Sequence, residues 1–445
     1  MSVARTICFG FLVLIGIGTL LLTLPLAISA PGWNSPLIAL FTATSAACVT
    51  GLAVVDTGTY YSVFGHLVIL GLIQLGGLGY MITTTFLILL IGRRFDLRQK
   101  FAIQESFDRP FLQGSRNLVR SIIAMTALFE LTGVILLFWG FLSADYSPLR
   151  SLWYAIFHSI SAWNNAGFAL FPDSLTLFRS SPLILLSISG LVVFGGIGYQ
   201  VIIELTNWLT RIVKGRKERF IFSLNFRVVT GTTILLLGLG FFAFLFAEFS
   251  DPETFGTLAW GEKLLAAWFL SVTTRTAGFN TIDMGGLSTA GLFLTIGFMF
   301  IGASPSGTGG GIKTTTLRIL SVSTRTVLEG GDEVNLFERE IPLPLILKAI
   351  AVVFGSAVTI VIITILISVI EHSLGLISIL FEVVSAFATV GLSTGITASL
   401  TGISQCLLIL TMFAGRVGIL ILISAIIGES KPTRLQYPKE NLLVG

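Results

Sequence analysis

Residues 41–51 of this 445-residue chain read FTATSAACVTG, and the same pattern occurs three more times. The later copies are FHSISAWNNAG at 157–167, FLSVTTRTAG at 269–278 and FEVVSAFATVG at 381–391. Each copy opens with Phe, continues through small and hydroxylated residues, and ends on a Gly that Leu or Phe follows. The final residues Gly51, Gly167, Gly278 and Gly391 lie 116, 111 and 113 positions apart. Such a near-constant interval indicates an internal repeat.

The rest of the chain is strongly hydrophobic. It is 54% hydrophobic and 11% charged, with a mean hydropathy of +0.92, whereas a soluble domain carries about 25% charged residues. This composition excludes a soluble enzyme, a nucleic-acid binder (in spite of a pI near 9.0) and a disordered protein. Three scattered cysteines are too few for a disulfide framework. We therefore predict a polytopic membrane protein.

Eight apolar runs, most of them long enough to span a bilayer, flank the four copies. They are Thr6–Ile28, His66–Ile91, Val119–Leu142, Leu183–Leu209, Val228–Ala247, Leu292–Ile301 with a broken continuation, Ile346–Ile370 and Cys406–Ile427. The first run is too long for a secretory signal peptide, so we predict a retained helix. The pattern of helix, short re-entrant segment and helix, four times over, predicts an all-α polytopic membrane fold.

Lys and Arg residues are concentrated in a few connections between these runs. The segments Arg93–Arg120 and Arg211–Arg227 contain seven and six of them, whereas Pro31–Gly65 and Glu371–Gln405 contain none. Because membrane proteins keep Lys and Arg in their cytoplasmic loops, we predict that both basic segments and both termini are cytoplasmic. The same basic residues also suit contacts with anionic membrane lipid.

The four Phe-to-Gly copies predict a cation pathway. Rings of backbone carbonyls replace the hydration shell of a monovalent cation, and Gly suits such a ring because it reaches positive φ and allows close approach. The candidate filter contains no Asp or Glu, which favours K⁺ over a divalent cation. The alternative, four external loops that share turn glycines, is disfavoured because the copies stay in register. The predicted filter residues are Val49, Thr50, Gly51, Asn165, Ala166, Gly167, Thr276, Ala277, Gly278, Thr389, Val390 and Gly391.

Three longer stretches carry a resemblance to a known family. They are SAACVTGLAVVDTG at 45–58, SVTTRTAGFNT at 271–281 and GASPSGTGGGIKTTT at 302–316. With the four glycines, they make the chain resemble the Trk/Ktr/HKT superfamily of K⁺ transporters, and most closely the bacterial Ktr membrane subunits. The resemblance implies four M1–P–M2 repeats around a pseudo-fourfold pore, with K⁺ held at Gly51, Gly167, Gly278 and Gly391. Na⁺-selective plant relatives have Ser at the first of these positions, so Gly51 implies K⁺ selectivity.

The predicted repeats divide the chain into eight parts. They are repeat 1 (1–92), a cytoplasmic basic loop (93–117), repeat 2 (118–213), a second basic loop (214–227), repeat 3 (228–326, with an intramembrane gating loop at 302–316), a cytoplasmic loop (327–345), repeat 4 (346–428) and a C-terminal tail (429–445).

The stretch at 302–311 is too rich in Gly and polar residues to hold a helix. A flexible segment below a filter is a candidate gate, and a plain connection between helices is the alternative. The resemblance favours the gate, because the family has an intramembrane gating loop here. The stretch is not a phosphate-binding loop, since Ile312 precedes Lys313 where that motif needs Gly. The predicted gate residues are Gly302, Ser304, Pro305, Ser306, Gly307, Thr308, Gly309, Gly310, Gly311, Lys313 and Arg416.

Arg416 stands within the apolar run LLILTMFAGRVGILILISAII. A charge there is costly unless it faces partners or water. We predict that Arg416 repels cations beside the closed gate, and the resembled family has an Arg in this place. A structural ion pair is the alternative.

For the remaining charged residues of the apolar regions we predict structural or surface roles. Glu130 and Glu204 are expected to have packing partners, and Arg275 is expected to brace the filter. Four acidic residues are expected near the external mouth, either to concentrate cations or as ordinary surface carboxylates: Asp56, Glu262, Asp283 and Glu382.

The sequence therefore predicts K⁺ uptake across the plasma membrane through a gated, carbonyl-lined filter, with Na⁺ as a further ion involved. A membrane enzyme is disfavoured because no catalytic cluster is present in the sequence. A Na⁺- or H⁺-coupled secondary transporter of another cation is the second alternative, although the repeats are parallel rather than inverted. The resemblance implies a homodimer and a separate cytoplasmic nucleotide-binding subunit of the KtrA type, docked on the basic loops. We expect no nucleic-acid partner, and we expect the apolar end of the tail, LQYPKENLLVG, to pack in the dimer interface.

Overall fold

The computed structural model describes residues 3–79, 115–215 and 220–428. Regular structure in these ranges is helical, apart from three isolated β-bridges. This confirms the predicted all-α class. The basic residues from Arg93 to Arg109, the tail at 429–445 and the predicted end of the run His66–Ile91 lie outside the described residues. So do three of the six basic residues of the second cluster, Arg216, Lys217 and Arg219.

Sixteen α-helices of the described residues fall into four successive groups of four. The first group is α1 (Val3–Thr23), α2 (Pro36–Ala47), α3 (Thr57–Tyr60) and α4 (Val63–Gly77). The second is α5 (Ser115–Leu142), α6 (Pro148–Trp163), α7 (Pro182–Ile197) and α8 (Tyr199–Val213). The third is α9 (Leu224–Glu248), α10 (Trp260–Thr273), α11 (Thr289–Phe300) and α12 (Thr314–Leu328). The fourth is α13 (Leu343–Ile370), α14 (Leu376–Ala388), α15 (Gly402–Val417) and α16 (Ile419–Ile427).

Helices α1, α5, α9 and α13 are each long and apolar enough to cross a membrane. Counting the bent pairs α7–α8 and α15–α16 as one span each brings the number among the described residues to six. The long helices keep large apolar side chains on their outer faces, such as Phe246, which is 90% exposed. An apolar outer face is stable in contact with lipid but not with water, so these helices belong in a bilayer.

The short helices α2, α6, α10 and α14 hold the Phe-to-Gly copies. Helices α2 and α6 begin with Pro at the first helical position, where its missing N–H costs nothing. The Phe that opens each copy is buried in the core, with at most 2% of its surface exposed. These four residues are Phe41, Phe157, Phe269 and Phe381. The repeated Phe is therefore a packing anchor for the short helix.

Two predicted helices are sharply broken. We expected the runs Leu183–Leu209 and Cys406–Ile427 to continue as single helices, and this is wrong. Helix α8 is bent by 103° from α7, and α16 by 97° from α15. The breaks fall at Gly198 and Gly418, whose φ values of 95° and 90° lie outside the helical region. Gly adopts such angles at little cost, so a single Gly in each run ends the helix although hydrophobicity continues.

The third group contains the interruption that the sequence predicted. Helix α11 ends at Phe300, and the chain has no helix until Thr314. A parallel bridge between Ile301 and Ile312 closes this segment into a loop. Residues 301–313 are called the loop below.

Candidate ion filter and gate

Each Phe-to-Gly copy ends with the same unusual backbone. The residue two positions before the final Gly has a left-handed φ in all four copies, and the Gly itself has a positive φ. The angles are 57°, 55°, 75° and 52° at Val49, Asn165, Thr276 and Thr389, and 93°, 70°, 80° and 93° at Gly51, Gly167, Gly278 and Gly391. A non-Gly residue in this region costs of the order of 1–3 kcal/mol, and such strain clusters at ligand sites.

The four final glycines form a closed ring. A Cβ added to any one of them would clash with the backbone of the next copy, and the fourth copy returns to the first. The distances from such a Cβ to the nearest carbonyl oxygen are 2.5 Å from Gly51 to Ala166, 2.9 Å from Gly167 to Ala277, 2.3 Å from Gly278 to Val390 and 2.2 Å from Gly391 to Thr50. The structure thus brings together all four predicted filter segments, and Gly is the residue that permits this approach.

Hydroxyl side chains of the short helices hold the backbone around the final glycines. In the first and fourth copies, Ser45 and Ser385 accept the N–H of Gly51 and Gly391, each at 3.1 Å. The carbonyls of the same two serines accept the N–H of the residue before each Gly. The N–H groups therefore point back into the short helix.

The second and third copies use their hydroxyls differently. Ser161 and Thr273 donate to the carbonyls of Phe168 and Phe279, the residues that follow the final glycines, at 2.8 and 2.5 Å. The difference between the copies correlates with the sequence, because Leu follows Gly in the first and fourth copies and Phe in the second and third.

The carbonyl oxygens of the filter are left without protein partners. Within residues 3–79, 115–215 and 220–428, none of the twelve carbonyls at the predicted filter positions accepts a hydrogen bond. These residues are largely buried, and the side chains of Val49, Asn165, Thr276 and Thr389 are inaccessible to solvent. Nearly all buried carbonyls in proteins are paired, so a cluster of unpaired ones indicates a site for water or a cation.

The loop packs against the end of the filter where the chain turns out of the short helices. The two ends of the loop are held together by hydrogen bonds. The N–H of Gly302 donates to the carbonyl of Ile312 at 2.9 Å, and the N–H of Ala303 donates to the carbonyl of Gly310 at 3.1 Å. Its tip is joined to the break between α7 and α8, because Ser304 donates to the carbonyl of Gly196 at 3.0 Å. The predicted loop and the predicted filter are therefore in direct contact.

Thr308 connects the loop to the surrounding helices through several hydrogen bonds. Its N–H donates to Gly195 at 3.1 Å and its hydroxyl donates to Trp163 at 3.1 Å. Its Oγ1 also lies 2.7 Å from the side-chain amide of Asn165, and its carbonyl accepts a bond from Arg416. All three polar groups of this buried residue are thus used to hold the loop.

The loop glycines bring the backbone up to the filter threonines. The N–H of Gly310 donates to the hydroxyl of Thr389 at 3.1 Å. A Cβ on Gly309 would lie 2.0 Å from Oγ1 of Thr276, and one on Gly310 would lie 2.3 Å from Oγ1 of Thr389. The glycine-rich composition is needed for this contact, because any side chain would force the loop away.

Arg416 and Lys313 bind carbonyl oxygens around the loop. Arg416 donates to Thr308 in the loop and to Gly76 and Gly77 at the end of α4. Lys313 donates to the carbonyl of Gly309 at 2.8 Å. All the hydrogen bonds of the Arg416 side chain within the described ranges go to carbonyls, which does not fit the alternative of a structural ion pair.

The predicted brace at Arg275 differs from the observed one. Arg275 is 9% exposed, and its guanidinium lies 3.5 Å from the carbonyl of Gly302 in the loop rather than bonding to the filter. Glu204 accepts the N–H and hydroxyl of Ser223, and Glu130 accepts a bond from Asn164 at 3.3 Å. Both glutamates thus have the packing partners that were expected.

The four acidic residues assigned to the external mouth do not form one group. Asp56, Asp283 and Glu262 accept backbone N–H groups of their own turns. Glu382 is buried, with 1% exposed, because hydroxyls of the segment after the filter enclose its carboxylate. The interpretation of Glu382 as a carboxylate exposed at the mouth is therefore wrong.

Sequence reasoning assigned no role to the filter hydroxyls Ser45, Ser161, Thr273 and Ser385, although Ser recurs six positions before Gly in three copies. The Gly residues near the ends of α4, α7 and α15 pack closely against the short helices. A Cβ on Gly76, Gly195 or Gly415 would lie within 2.0 Å of a carbonyl in the last turn of a short helix.

The chain matches the TrkH family, described as "Cation transport protein", over residues 7–432. It is 37% identical to Ktr system potassium uptake protein B of Bacillus subtilis, over 99% of this chain and 96% of that protein. It is 33% identical to the potassium/sodium uptake protein NtpJ of Enterococcus hirae, over 100% of this chain and 98% of that protein. The crystal structure of the potassium transporter TrkH from Vibrio parahaemolyticus has the same fold, with a TM-score of 0.72 and 17% identity over 95% of this chain and 85% of that one.

Proposed function

Because this chain belongs to the TrkH family of cation transport proteins, we propose that it carries out K⁺ uptake across the plasma membrane. The observation that carries this proposal is the ring of four glycines surrounded by twelve carbonyls that have no protein partner in the described ranges. Two relatives that cover nearly the whole chain are named as potassium uptake and potassium/sodium uptake proteins. Their names support K⁺ as the main ion and Na⁺ as a second ion.

The filter selects its cation through carbonyl oxygens alone. The N–H groups of Gly51 and Gly391 are held by serines of the short helices, so the carbonyls remain available to a dehydrated ion. Carbonyl dipoles offer partial rather than full negative charges, which suits a monovalent cation with a weakly held hydration shell. In this proposal K⁺ binds at the level of Gly51, Gly167, Gly278 and Gly391.

The pore is built from four M1–P–M2 repeats around a pseudo-fourfold axis, with the boundaries predicted from the sequence. The closed order of the glycine contacts, from each copy to the next and back to the first, supports this arrangement. Basic loops face the cytoplasm, as do both termini. A second copy of the chain completes a homodimer, and a nucleotide-binding subunit docks on the cytoplasmic face.

The loop is the gate of this pathway. It lies against Asn165, Thr276 and Thr389, the first residues of three filter segments. In this proposal the loop obstructs the exit from the filter. Lys313 and Arg416 add positive charge beside it, which raises the energy of a cation at this level. Opening requires the bonds of Thr308 to break.

Uptake of ⁸⁶Rb⁺ into proteoliposomes, with wild-type protein and the Gly278→Ser variant, tests this function. A Cβ at Gly278 would lie 2.3 Å from the carbonyl of Val390, so the variant distorts the ring. We expect wild-type uptake that unlabelled K⁺ inhibits, and loss of K⁺ preference in the variant. Absence of Rb⁺ uptake by folded wild-type protein contradicts the proposal. A dependence of uptake on an inward Na⁺ or H⁺ gradient favours the alternative of a coupled secondary transporter.

A further inference from the structure

The residue that follows the opening Phe of each copy differs in chemistry from copy to copy. These residues are Thr42, His158, Leu270 and Glu382. Two of them, His158 and Glu382, are ionisable side chains buried in short helices, with 0% and 1% of their surface exposed. Within the described ranges, neither of them has a hydrogen bond to the loop or to the filter glycines, so the proposed transport mechanism has given them no role.

His158 holds the chain that leaves the second filter segment. Its Nδ1 lies 2.8 Å from the carbonyl of Tyr154, and its Nε2 accepts the N–H of Leu170 at 3.4 Å. A carbonyl can only accept, so Nδ1 carries the proton and Nε2 is the acceptor. The ring is also stacked on Phe171, with a centroid distance of 5.1 Å. The imidazole is thus fixed in one orientation.

Glu382 holds the chain that leaves the fourth filter segment. Its carboxylate accepts the N–H of Thr394 at 3.0 Å and the hydroxyls of Ser393 and Thr397 at 2.5 and 2.8 Å. In the part of the chain that the structure describes, all of its hydrogen-bond partners are neutral. A buried carboxylate without a cation is unfavourable unless several donors satisfy it, and here those donors all belong to the segment after the filter.

His158 and Glu382 occupy the same position in their copies and hold the same position after the filter Gly. Leu170 and Thr394 are each the third residue after their filter Gly, and both His158 and Glu382 are the ninth residue before it. Gly167 and Gly391 occupy opposite positions in the ring, because the nearest filter glycines on either side of each are Gly51 and Gly278. The bracing side chains therefore serve two opposite filter segments.

The first and third copies lack this bond. The hydroxyl of Thr42 accepts a bond from Tyr61 at 2.9 Å, and Leu270 is apolar. Beyond Phe279, the segment after Gly278 is held from outside its own copy, where the N–H of Asn280 donates to Ser174 at 3.2 Å. The brace at the ninth position is thus a specific feature of the second and fourth copies.

We infer that His158 and Glu382 are positioning residues that fix the outer ends of two opposite filter segments and thereby set the cation selectivity. The inference rests on the proposed filter function. A carbonyl ring selects its ion through its size and through the number and field of its carbonyls, and both change when the oxygens move. Loss of the hydrogen bond to the N–H of Leu170 or Thr394 allows the filter carbonyls of that copy to move. A ring of filter carbonyls that can contract accepts the smaller Na⁺ more readily.

Paired variants test the inference by measuring ⁸⁶Rb⁺ and ²²Na⁺ uptake by full-length protein in proteoliposomes. Glu382→Leu removes the acceptor oxygens, whereas Glu382→Gln keeps one acceptor oxygen in a side chain of the same shape. His158→Phe keeps the aromatic stacking and removes Nε2. We expect the Rb⁺/Na⁺ uptake ratio to fall about tenfold in Glu382→Leu and His158→Phe, which corresponds to about 1.4 kcal/mol. Glu382→Gln is expected to stay near the wild-type ratio.

Glu371→Leu is the matched control. Glu371 lies in the same group of helices and accepts bonds from Thr401 and Ser404, but it holds the start of α15 rather than the segment after the filter. It should keep the wild-type ratio. A wild-type Rb⁺/Na⁺ uptake ratio in folded Glu382→Leu and His158→Phe overturns the inference. If Glu382→Leu does not fold, the ratio in His158→Phe is the test. Wild-type protein that takes up no Rb⁺ contradicts the proposed function itself, so the two failures are distinguishable.

Discussion

The guanidinium of Arg416, at the end of α15, donates a hydrogen bond to the carbonyl of Thr308 in the loop. The same side chain donates to Gly76 at the end of α4. One residue of the fourth group of helices therefore connects the loop of the third group to a helix of the first. An Arg can do this because its planar fork presents five donors, and carbonyls in the last turn of α4, where intrahelical partners run out, serve as acceptors.

Replacing Arg416 by Ala should open the pathway. The substitution leaves the carbonyl of Thr308 without a donor and removes the Arg416 donor from Gly76, whose carbonyl keeps the N–H of Gly79. Hydrogen bonds to charged groups contribute about 1.5–3 kcal/mol each. We expect ⁸⁶Rb⁺ uptake into proteoliposomes to rise about tenfold, without loss of the proposed dimer. Arg416→Lys, which keeps the charge but not the fork, should give an intermediate rate. Wild-type uptake in Arg416→Ala would show that this contact does not hold the gate.

Deleting Gly307–Gly311 should increase K⁺ flux still more. The deletion removes the backbone that lies against Thr276 and Thr389, and with it the proposed obstruction below the filter. The measurement is the initial rate of uptake into vesicles at matched protein density. Unchanged flux would contradict the gating role of the loop.

Two glycines of α4 should respond to Ala in opposite ways. A Cβ on Gly76 would lie 2.0 Å from the carbonyl of Ala47, whereas one on Gly71 would have no atom within 4 Å. We expect Gly76→Ala to destabilise the protein by about 1–3 kcal/mol because the site is already full. Gly71→Ala should stabilise it slightly, by about 0.5–1 kcal/mol, through lower chain entropy. Thermal unfolding in detergent measures both, and equal melting temperatures would refute the close packing at Gly76.

The contribution of Glu371 to stability should depend on pH. Hydrogen bonds from Thr401, and then from Ser404, lower the pKa of this carboxyl, which lies just beyond the end of α13. A pKa that is lower in the folded state gives stability that is present above the unfolded value of about 4.3 and is lost as the pH falls through the folded value. The difference in melting temperature between wild type and Glu371→Gln should therefore be largest near neutral pH and shrink in acid. A constant difference down to pH 3 would contradict this.

Much of the candidate filter could be predicted from the sequence because its requirements are local. A positive φ and close backbone approach restrict a position to Gly, so Gly51, Gly167, Gly278 and Gly391 are visible as repeated letters. The opening Phe of each copy and the recurring Ser are visible for the same reason, since each copy has to bury and anchor one short helix. The loop was predictable too, because ten residues with five glycines among them cannot hold a helix in an apolar environment.

The partners of the buried polar residues could not be predicted in this way. Hydropathy treats Gly198 and Gly418 as ordinary members of apolar runs, although their backbone angles break the helices there. Glu382 was placed at an exposed mouth because its donors, Ser393 and Thr397, become its neighbours only when the segment after the filter folds back.

The sequence by itself thus determined the membrane class of this protein, the fourfold repetition of its short helices and the positions where only Gly fits. These follow from composition, period and backbone angles, which are properties of the chain at each position. Only the tertiary structure decided that the four glycines close a ring, that Arg416 joins the loop to α4, and that His158 and Glu382 hold the outer ends of the filter. Those contacts depend on helices from different parts of the chain packing together, and no local pattern encodes which groups will meet.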